Sequence, residues 1–545
     1  MFTRSSVLIF FLLLIISGVL RFYSLGGWSF DMDELFTTLE AKILFGESVV
    51  PDEYLKNGQV KAEDTQLYRL PRLMFVSYFV HWVGYKIFGE DEFGSRIVPA
   101  FLGSLSVGVI FLFGRFLFGF VVGLVLSLLA MFLPEHLLHS QCNRFYVQSF
   151  FIISVVFLSG YYVLLFRSFR SVFFLGLLSI LMIFINSFGG LIWGVVLCGV
   201  ILGVIFSSNY SQMIVVITTT VMATTAKTTA TTTVLHNGVD NCLHYVERAE
   251  CGKSGARVIL FMFFWSALFL CAAYFYIIPM GASWNKSLSW GYSPFHALAS
   301  FVNMISWPVF LFSVMGFCIL FFGGNISCGN IFRRNIFCGN IYWLVCIFGC
   351  GFIVFVLPMV IVYNSNYGFL FIFPFIVSAA IFIGRVYDFI LRLSFSYKNV
   401  LGVIWVCGCV LLNFPSVASY YCDGNRHDNR AAFYYVAENW RQGDRLTGIL
   451  MGAAKYYIPD KTPRIPLHPE PDKTIKELQN IIDNNIGGSG RLWIVLTSSR
   501  GGIDDKVRKW LGQNAKFEYR AAKKRFDYAE NNVEVFIVDK KEIRN

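Results

Sequence analysis

Long apolar runs dominate this chain and limit what it can fold into. Stretches such as Val7–Leu20, Ile97–Phe113, Val258–Ile278 and Trp343–Val362 approach the roughly 20 residues that a bilayer-spanning helix needs. Of the 545 residues, 56% are hydrophobic and only 14% are charged, which is more apolar surface than one aqueous core can bury. In lipid such runs must be helical, because every backbone polar group needs a partner within the chain. The sequence therefore predicts a polytopic α-helical membrane protein.

Apolar runs and their breaks together predict about eleven spanning helices. These lie at about 5–23, 96–114, 118–134, 147–166, 171–186, 190–206, 257–280, 298–323, 342–363, 368–385 and 400–418. The segment Leu73–Phe88 is interrupted by His81 and Lys86 and is predicted to lie on the membrane surface. The first helix is predicted to be uncleaved, because Arg21 and bulky residues follow it instead of a small-x-small cleavage site.

The distribution of Lys and Arg predicts the orientation. With Arg4 in the cytoplasm, the bases of alternate turns all fall on the same side, as the positive-inside rule requires. These bases are Arg115, Arg167, Arg170, Arg333, Arg334, Arg385, Arg392 and Lys398. The opposite turns, 186–189 and 364–367, carry no Lys or Arg. We therefore expect an integral plasma (inner) membrane protein whose active face lies outside the cytoplasm.

This orientation divides the chain into two domains. Residues 1–420 are predicted to form the membrane domain, with an acidic first outer loop at 24–70 and a cytoplasmic Thr-rich insert at 207–256. Residues 421–545 are predicted to form a small extracytoplasmic α/β domain. Its predicted elements are helices at Ala431–Arg441 and Asp504–Leu511 and strands at Arg491–Thr497 and Val533–Val538.

Charge and cysteine patterns exclude other classes. The net charge of +11 is dispersed over short loops and the tail, so no basic stripe for nucleic acid is formed. The 13 cysteines are scattered without CxxC spacing and are interpreted as small apolar residues.

Two polar segments on the outer face carry the candidate chemistry. The first contains Asp33 and Glu34, whose carboxylates suit a general base, a metal ligand or an N-cap. The second is the turn Pro134–Tyr146, where Arg144 suits either a phosphate ligand or an interfacial anchor, as does Arg96. His136 and His139 have metal-like spacing, but no third protein ligand lies nearby in the sequence.

Four stretches in this order resemble the GT-C glycosyltransferases that use a polyprenyl-phosphate sugar, in particular the branch of protein O-mannosyltransferases and lipid A aminoarabinose transferases. The stretches are Arg21–Gly26 leading into Asp33 and Glu34, Leu70–Tyr78 with a single Pro71, Phe88–Pro99 with the turn Phe113–Gly119, and Ser140–Tyr146. They cover roughly the first 170 residues.

The resemblance implies an inverting transfer of a monosaccharide to an acceptor hydroxyl of a lipid, glycan or protein. It implies that Asp33 is the general base and that Glu34 orients the site or the acceptor. Arg144, with Arg96 or Arg69 as second candidates, would hold the departing phosphate, and Tyr146 would add a hydrogen bond. Lys286 and His136 are further candidates. No clear metal ligand set is present, so we expect no resident metal or other cofactor, although related enzymes differ in this.

Two other readings remain open. A multi-span transporter or lipid flippase predicts ionisable groups near the bilayer midplane or two repeated halves. Neither pattern is found in this sequence. A non-catalytic membrane scaffold predicts that Asp33 and Arg144 can be replaced without loss.

Overall fold

The computed structural model describes residues 4–30, 32–47, 74–186, 191–205, 294–322, 341–354, 368–423, 428–448, 451–461, 464–467, 471–485, 490–497, 505–521 and 533–539. Up to residue 423 the regular secondary structure among these residues is helical. The helices are α1 (Arg4–Phe22), α2 (Met32–Leu44), α3 (Phe75–Phe88), α4 (Glu92–Phe118), α5 (Phe120–Met131), α6 (Pro134–Ser140), α7 (Tyr146–Phe166), α8 (Phe169–Ile185), α9 (Leu191–Ile205), α10 (Pro294–Ile305), α11 (Trp307–Phe322), α12 (Ile341–Val354), α13 (Phe373–Arg392), α14 (Lys398–Leu411) and α15 (Phe414–Asp423).

Several of these helices are long and apolar enough to cross a membrane. Helices α1, α4, α7 and α13 meet that requirement singly, and α5 with α6 forms a further candidate span bent by 62°. Shorter apolar helices are α8, α9, α11, α12 and α14. Each predicted span overlaps a helix or helix pair, apart from 257–280, which lies outside the described residues, as does the part of the span 342–363 after Val354. The chain is an integral membrane protein.

The outward surface of α1 shows why it needs lipid. Leu8, Phe11, Ile15 and Val19 are 61%, 54%, 62% and 64% exposed. They recur at helical spacing, so they form one apolar stripe along the helix. Its opposite side packs on α4.

The predicted helix at 298–323 is wrong as one element, because the structure breaks it into α10 and α11. The break lies at Ser306, whose φ is +68°. Pro308 follows two residues later. A proline ring inside a continuous helix would clash with the carbonyl four residues earlier, so the helix restarts just before it.

Helices α4 and α5 form a tight hairpin. Gly119 connects them with a φ of +97°, a conformation that L side chains rarely adopt. At Gly123 an added Cβ would lie 2.5 Å from the backbone nitrogen of Arg115. The two helices therefore approach to backbone contact, as the resemblance implied for this turn.

The C-terminal region combines helices with one five-stranded sheet. Its elements are α16 (Asn429–Glu438), β1 (Arg445–Gly448), α17 (Met451–Tyr457), β2 (Arg464–Pro466), α18 (Pro471–Asn485), β3 (Arg491–Thr497), α19 (Asp505–Asn514), β4 (Lys516–Ala521) and β5 (Val533–Asp539). The strand order is β2-β1-β3-β5-β4. Strand β1 runs parallel to β2 and β3, whereas β5 runs antiparallel to β3 and β4.

A layer of polar and aromatic residues lies between the membrane helices and this domain. Helix α2 packs on α3, α3 packs on α4, and α17 of the C-terminal domain packs on α2. Helix α3 was predicted to lie on the membrane surface, and with 14 residues it is too short to be a span. The described part of the predicted first outer loop, 24–30 and 32–47, is thereby placed between the membrane helices and the C-terminal region.

Candidate active site

The acidic motif lies in the first turn of α2. Asp33 belongs to this turn, and the next residue, Glu34, is 1% exposed. Both carboxylate oxygens of Glu34 accept hydrogen bonds from Arg96, at 2.9 Å from Nε and 2.7 Å from Nη2. The backbone N–H of Asn143 donates to the Oε1 atom of Glu34 at 2.7 Å. Glu34 is therefore one half of a buried, bidentate ion pair.

Arg96 donates hydrogen bonds to Glu34 and to the loop before α2. Besides Glu34, its Nη1 atom donates to the carbonyls of Leu25 at 3.1 Å and Trp28 at 3.0 Å, and its Nη2 atom donates to Ser29 at 3.0 Å. These contacts use the five N–H donors that a guanidinium carries. Arg96 is 0% exposed. The predicted role of Arg96 as a phosphate ligand does not fit this geometry, because all its donors hold the loop and the acidic helix.

Asn143 fastens the turn before α7 to α2. Its side-chain amide donates to the hydroxyl of Tyr85 at 2.6 Å, to Thr38 Oγ1 at 3.1 Å and to the carbonyl of Glu34 at 3.4 Å. The turn that contains Arg144 is therefore fixed directly against the helix that contains Asp33.

Arg144 differs from Arg96 in being only half-buried. Its Nη1 atom donates to Thr37 Oγ1 at 2.9 Å. Its guanidinium carbon lies 5.2 Å from the ring centre of Phe145 and 5.9 Å from that of Tyr146. Positions 33 and 37 are one turn apart on the same face of α2. The structure thus brings a half-exposed cation to the helix face on which Asp33 lies.

Tyr146, the first residue of α7, is buried. Its ring centre lies 4.6 Å from that of His139 and 4.4 Å from that of Phe145. The ring supports Arg144, and a hydrogen bond from Tyr146 to a phosphate stays a prediction.

His136 lies in a second, fully buried network with Arg21. Arg21 Nη2 approaches His136 Nδ1 at 2.6 Å, and Ser106 Oγ lies 2.9 Å from His136 Nε2. A guanidinium only donates, so Nδ1 is the acceptor and the imidazole proton resides on Nε2, facing Ser106. Arg21 also bonds Ser17 and Ser140. Both nitrogens of His136 are occupied, which leaves none for a metal or a substrate.

A third polar group lies on the inner face of α3. Tyr78 donates to Glu40, and the Nε2 atom of His81 lies 2.8 Å from the side-chain nitrogen of Gln148. Burial, reinforced by the cation of Arg144, lowers the pKa of His81 to about 3, with Glu34 opposing the shift. His81 is therefore neutral at physiological pH and does not compete for an anion.

The remaining predicted candidates lie outside the described residues or lack a described side chain. Arg69 and Lys286 lie outside the described residues, and only the backbone of Asp33 is described. Among the described residues, no group of three or more His, Cys, Asp and Glu side chains could hold a metal ion. The absence of a resident metal stays a prediction.

Sequence reasoning missed the ion pair of Glu34 with Arg96 and the role of Arg21. A usable signal existed for the first, since a carboxylate and an arginine in apolar surroundings favour pairing when both are buried. The partner could not be named, because several arginines are predicted to lie on the same side of the membrane.

Comparisons with known proteins place this geometry in a known fold. No protein-family profile and no curated protein sequence match the chain. Among solved structures, the chain is similar to ArnT from Cupriavidus metallidurans bound to undecaprenyl phosphate, with 12% identity, 98% of each chain covered and a TM-score of 0.50. It is also similar to the archaeal oligosaccharyltransferase AglB from Archaeoglobus fulgidus in complex with an inhibitory peptide and a dolichol-phosphate. That match has 12% identity and a TM-score of 0.52, and covers 97% of this chain and 75% of AglB. These likenesses show that the chain has the fold of these two structures, the GT-C fold.

Proposed function

We propose that the chain is a membrane glycosyltransferase that moves a monosaccharide from a polyprenyl-phosphate donor to the hydroxyl of a lipid, glycan or protein acceptor on the extracytoplasmic face. The observation that carries the proposal is the hydrogen bond of Arg144 to Thr37. It holds a half-buried cation one helical turn from Asp33, so that a base and a phosphate ligand share one face of α2.

In the proposed reaction, Asp33 is the general base. Its carboxylate takes the proton of the acceptor hydroxyl while the acceptor oxygen attacks the anomeric carbon of the sugar. The bond between that carbon and the phosphate oxygen breaks as the new glycosidic bond forms on the opposite face, which inverts the configuration. The polyprenyl phosphate leaves with the bonding electrons and therefore gains negative charge.

Arg144 stabilises that charge. Its guanidinium is held by Thr37 and by the faces of the Phe145 and Tyr146 rings. It therefore needs little reorganisation when the phosphate departs, which is the condition for effective electrostatic catalysis. An arginine also matches the geometry of a phosphate with two parallel N–H donors.

Glu34 and Arg96 position the base rather than react. Both oxygens of Glu34 accept hydrogen bonds in a fully buried pair, so Glu34 is a poor proton acceptor for a substrate. The pair fixes the first turn of α2 relative to α4. This positioning role refines the orienting role that the resemblance implied for Glu34.

The nature of the donor is supported by the structural relatives. ArnT was solved with undecaprenyl phosphate and AglB with a dolichol-phosphate. Both ligands are long apolar chains that end in a phosphate. A lipid of this kind suits a chain whose cationic residue lies at the outer ends of apolar helices. The sugar and the acceptor are left open.

The proposal is tested by sugar transfer. Radiolabelled polyprenyl-phosphate monosaccharides are offered to membranes that contain equal folded amounts of wild type, Asp33→Asn and Asp460→Asn. Asp460 is an exposed aspartate of the C-terminal domain and provides the matched control. We expect transfer from one donor by the wild type and by Asp460→Asn, and a loss of at least about 100-fold in Asp33→Asn.

Two results contradict the proposal. Transfer that survives in Asp33→Asn removes this residue as the base. Transfer from no donor, in membranes that retain endogenous acceptors, favours a transporter or a scaffold over an enzyme.

A further inference from the structure

The loop before α2 is held from two sides. From the membrane domain, Arg96 binds the carbonyls of Leu25, Trp28 and Ser29. From the C-terminal domain, Asn429 donates through its backbone N–H to Ser29 Oγ at 3.1 Å and through its side-chain nitrogen to the carbonyl of Phe30 at 3.0 Å. Residues of both domains therefore bind this loop.

Tyr457 is the next residue of the C-terminal domain that contacts the loop. Its hydroxyl accepts a hydrogen bond from the backbone N–H of Phe30 at 2.8 Å and donates to Glu92 Oε1 at 2.9 Å. Burial, and then the neighbouring carboxylate of Glu92, raise the pKa of Tyr457, so the hydroxyl keeps its proton and remains a donor. One hydroxyl thus links α17 of the C-terminal domain, the loop and the start of α4.

The side chain of Phe30 joins the two domains through its ring. Phe30 is 0% exposed. The guanidinium of Arg96 lies 5.3 Å from its ring centre, and the ring of Tyr456 packs edge-on at 5.2 Å. Arg96 therefore contacts both Phe30 and Glu34, so one guanidinium links the ring of Phe30 to the acidic motif.

Helix α2 itself enters the interface. Leu35 and Phe36, directly after the acidic motif, pack against the core of the C-terminal domain. Phe433 and Tyr457 belong to that core. The acidic motif is therefore flanked by two anchors in the same domain, Phe30 before it and Leu35 with Phe36 after it.

We propose that the C-terminal α/β domain is a working part of the active site, in which Tyr457 and Asn429 are positioning residues that set the place of Asp33 and Glu34. The proposal rests on the proposed function where it concerns catalysis. A domain that only tethered the chain or bound a partner would need neither hydrogen bonds to the backbone just before the motif nor apolar contacts just after it. A shift of about 1 Å in a catalytic group costs on the order of 100-fold in rate, so this support matters for the reaction.

The test compares Tyr457→Phe with Tyr435→Phe in the full-length protein in detergent. The first variant keeps the ring and leaves the N–H of Phe30 without its acceptor. The second removes a tyrosine–carboxylate hydrogen bond of the same domain, from Tyr435 to Glu518 at 3.1 Å, which does not touch the loop. The first measurement is amide hydrogen exchange of residues 25–36, and the second is the separation of kcat from the donor KM.

We expect exchange of residues 25–36 to be about tenfold faster in Tyr457→Phe and unchanged in Tyr435→Phe. We expect kcat to fall by about tenfold in Tyr457→Phe with the donor KM within about twofold, because binding of the lipid is left intact. An equal fall of kcat in Tyr435→Phe, or a rise of KM alone in Tyr457→Phe, overturns the proposal.

The exchange measurement does not depend on the reaction. Unchanged exchange in Tyr457→Phe overturns the proposal even if the wild type transfers sugar. If the wild type transfers no sugar from any donor, the proposed function fails, and exchange alone then decides whether Tyr457 holds the loop.

Discussion

At the scale of single residues, two arginines on the same side of the membrane have opposite environments. Arg96 is fully buried and donates all five of its N–H groups to carbonyls and to Glu34. Arg144 is half-buried and donates to Thr37. All donors of the first are used within the protein, whereas the second is the partly exposed one of the two. From the sequence alone, each of the two arginines could be a phosphate ligand or an interfacial anchor.

This contrast predicts different effects for the same substitution. Arg96→Lys cannot replace five donors with three, and it leaves part of the Glu34 pair unsatisfied, so we expect a loss of about 3–5 kcal/mol in unfolding free energy. Arg144→Lys should retain the thermal stability of the wild type and lose at least about tenfold in transfer rate. Thermal unfolding of the detergent-purified variants measures the first effect. An Arg96→Lys variant as stable as the wild type would refute the assignment.

His81 predicts a pH dependence of stability. Its pKa is lowered to about 3 in the folded protein by burial and by Arg144, against about 6.5 in an unfolded chain. Below about pH 6.5 the unfolded state therefore binds a proton that the folded state does not bind. The free energy of unfolding consequently falls as the pH falls from about 6.5 towards 3. We expect His81→Gln to flatten this part of the pH profile of the unfolding temperature. Parallel profiles for both proteins would show that His81 titrates freely.

At the scale of elements, the α4–α5 hairpin predicts a sharp difference between two glycines. Gly123→Ala places a methyl group 2.5 Å from a backbone nitrogen of α4, so the helices must separate. Gly194→Ala in α9 meets no atom within 4 Å. We expect the first variant to lower the unfolding temperature markedly and the second to leave it unchanged or slightly higher, since alanine favours helix. Fluorescence-detected size exclusion after heating distinguishes the two outcomes, and equal stability would contradict the close packing.

The sequence predicted elements best where one physical signal was strong. Strand β3 has the predicted bounds Arg491–Thr497, because a run of apolar residues between polar ones is typical of a buried strand. Strands β1 and β2 were missed, since four and three residues are too short for a periodic pattern. The break before Pro308 was also missed, although the proline signals it.

Part of the candidate site was predictable from the family resemblance rather than from a local pattern. The resemblance identified segments, and the structure brings three of them together at α2, α4 and the turn before α7. The bond of Arg96 to Glu34 joins residues 62 positions apart, and those of Tyr457 reach across more than 360 positions. Contacts at such separations depend on the packing of whole elements, which no local pattern encodes.

At the scale of the whole molecule, the orientation of the chain is the main prediction. The C-terminal domain and the first outer loop bond to each other, so both must lie on one side of the membrane. We expect an impermeant thiol reagent to label Asp460→Cys in intact cells and Tyr397→Cys only after permeabilisation, each compared with the parent protein. Tyr397 is 77% exposed in the turn before α14. Labelling of Tyr397→Cys in intact cells would reverse the proposed topology.

In the proposed site, one face of α2 unites a base with a phosphate-binding cation. The most direct measurement is the affinity for undecaprenyl phosphate, taken together with the transfer rate, in Asp33→Asn and Arg144→Gln. We expect Asp33→Asn to bind the lipid as the wild type does but to transfer no sugar, and Arg144→Gln to lose at least about tenfold in affinity. Transfer by Asp33→Asn at the wild-type rate, or unaltered binding by Arg144→Gln, would contradict the proposal.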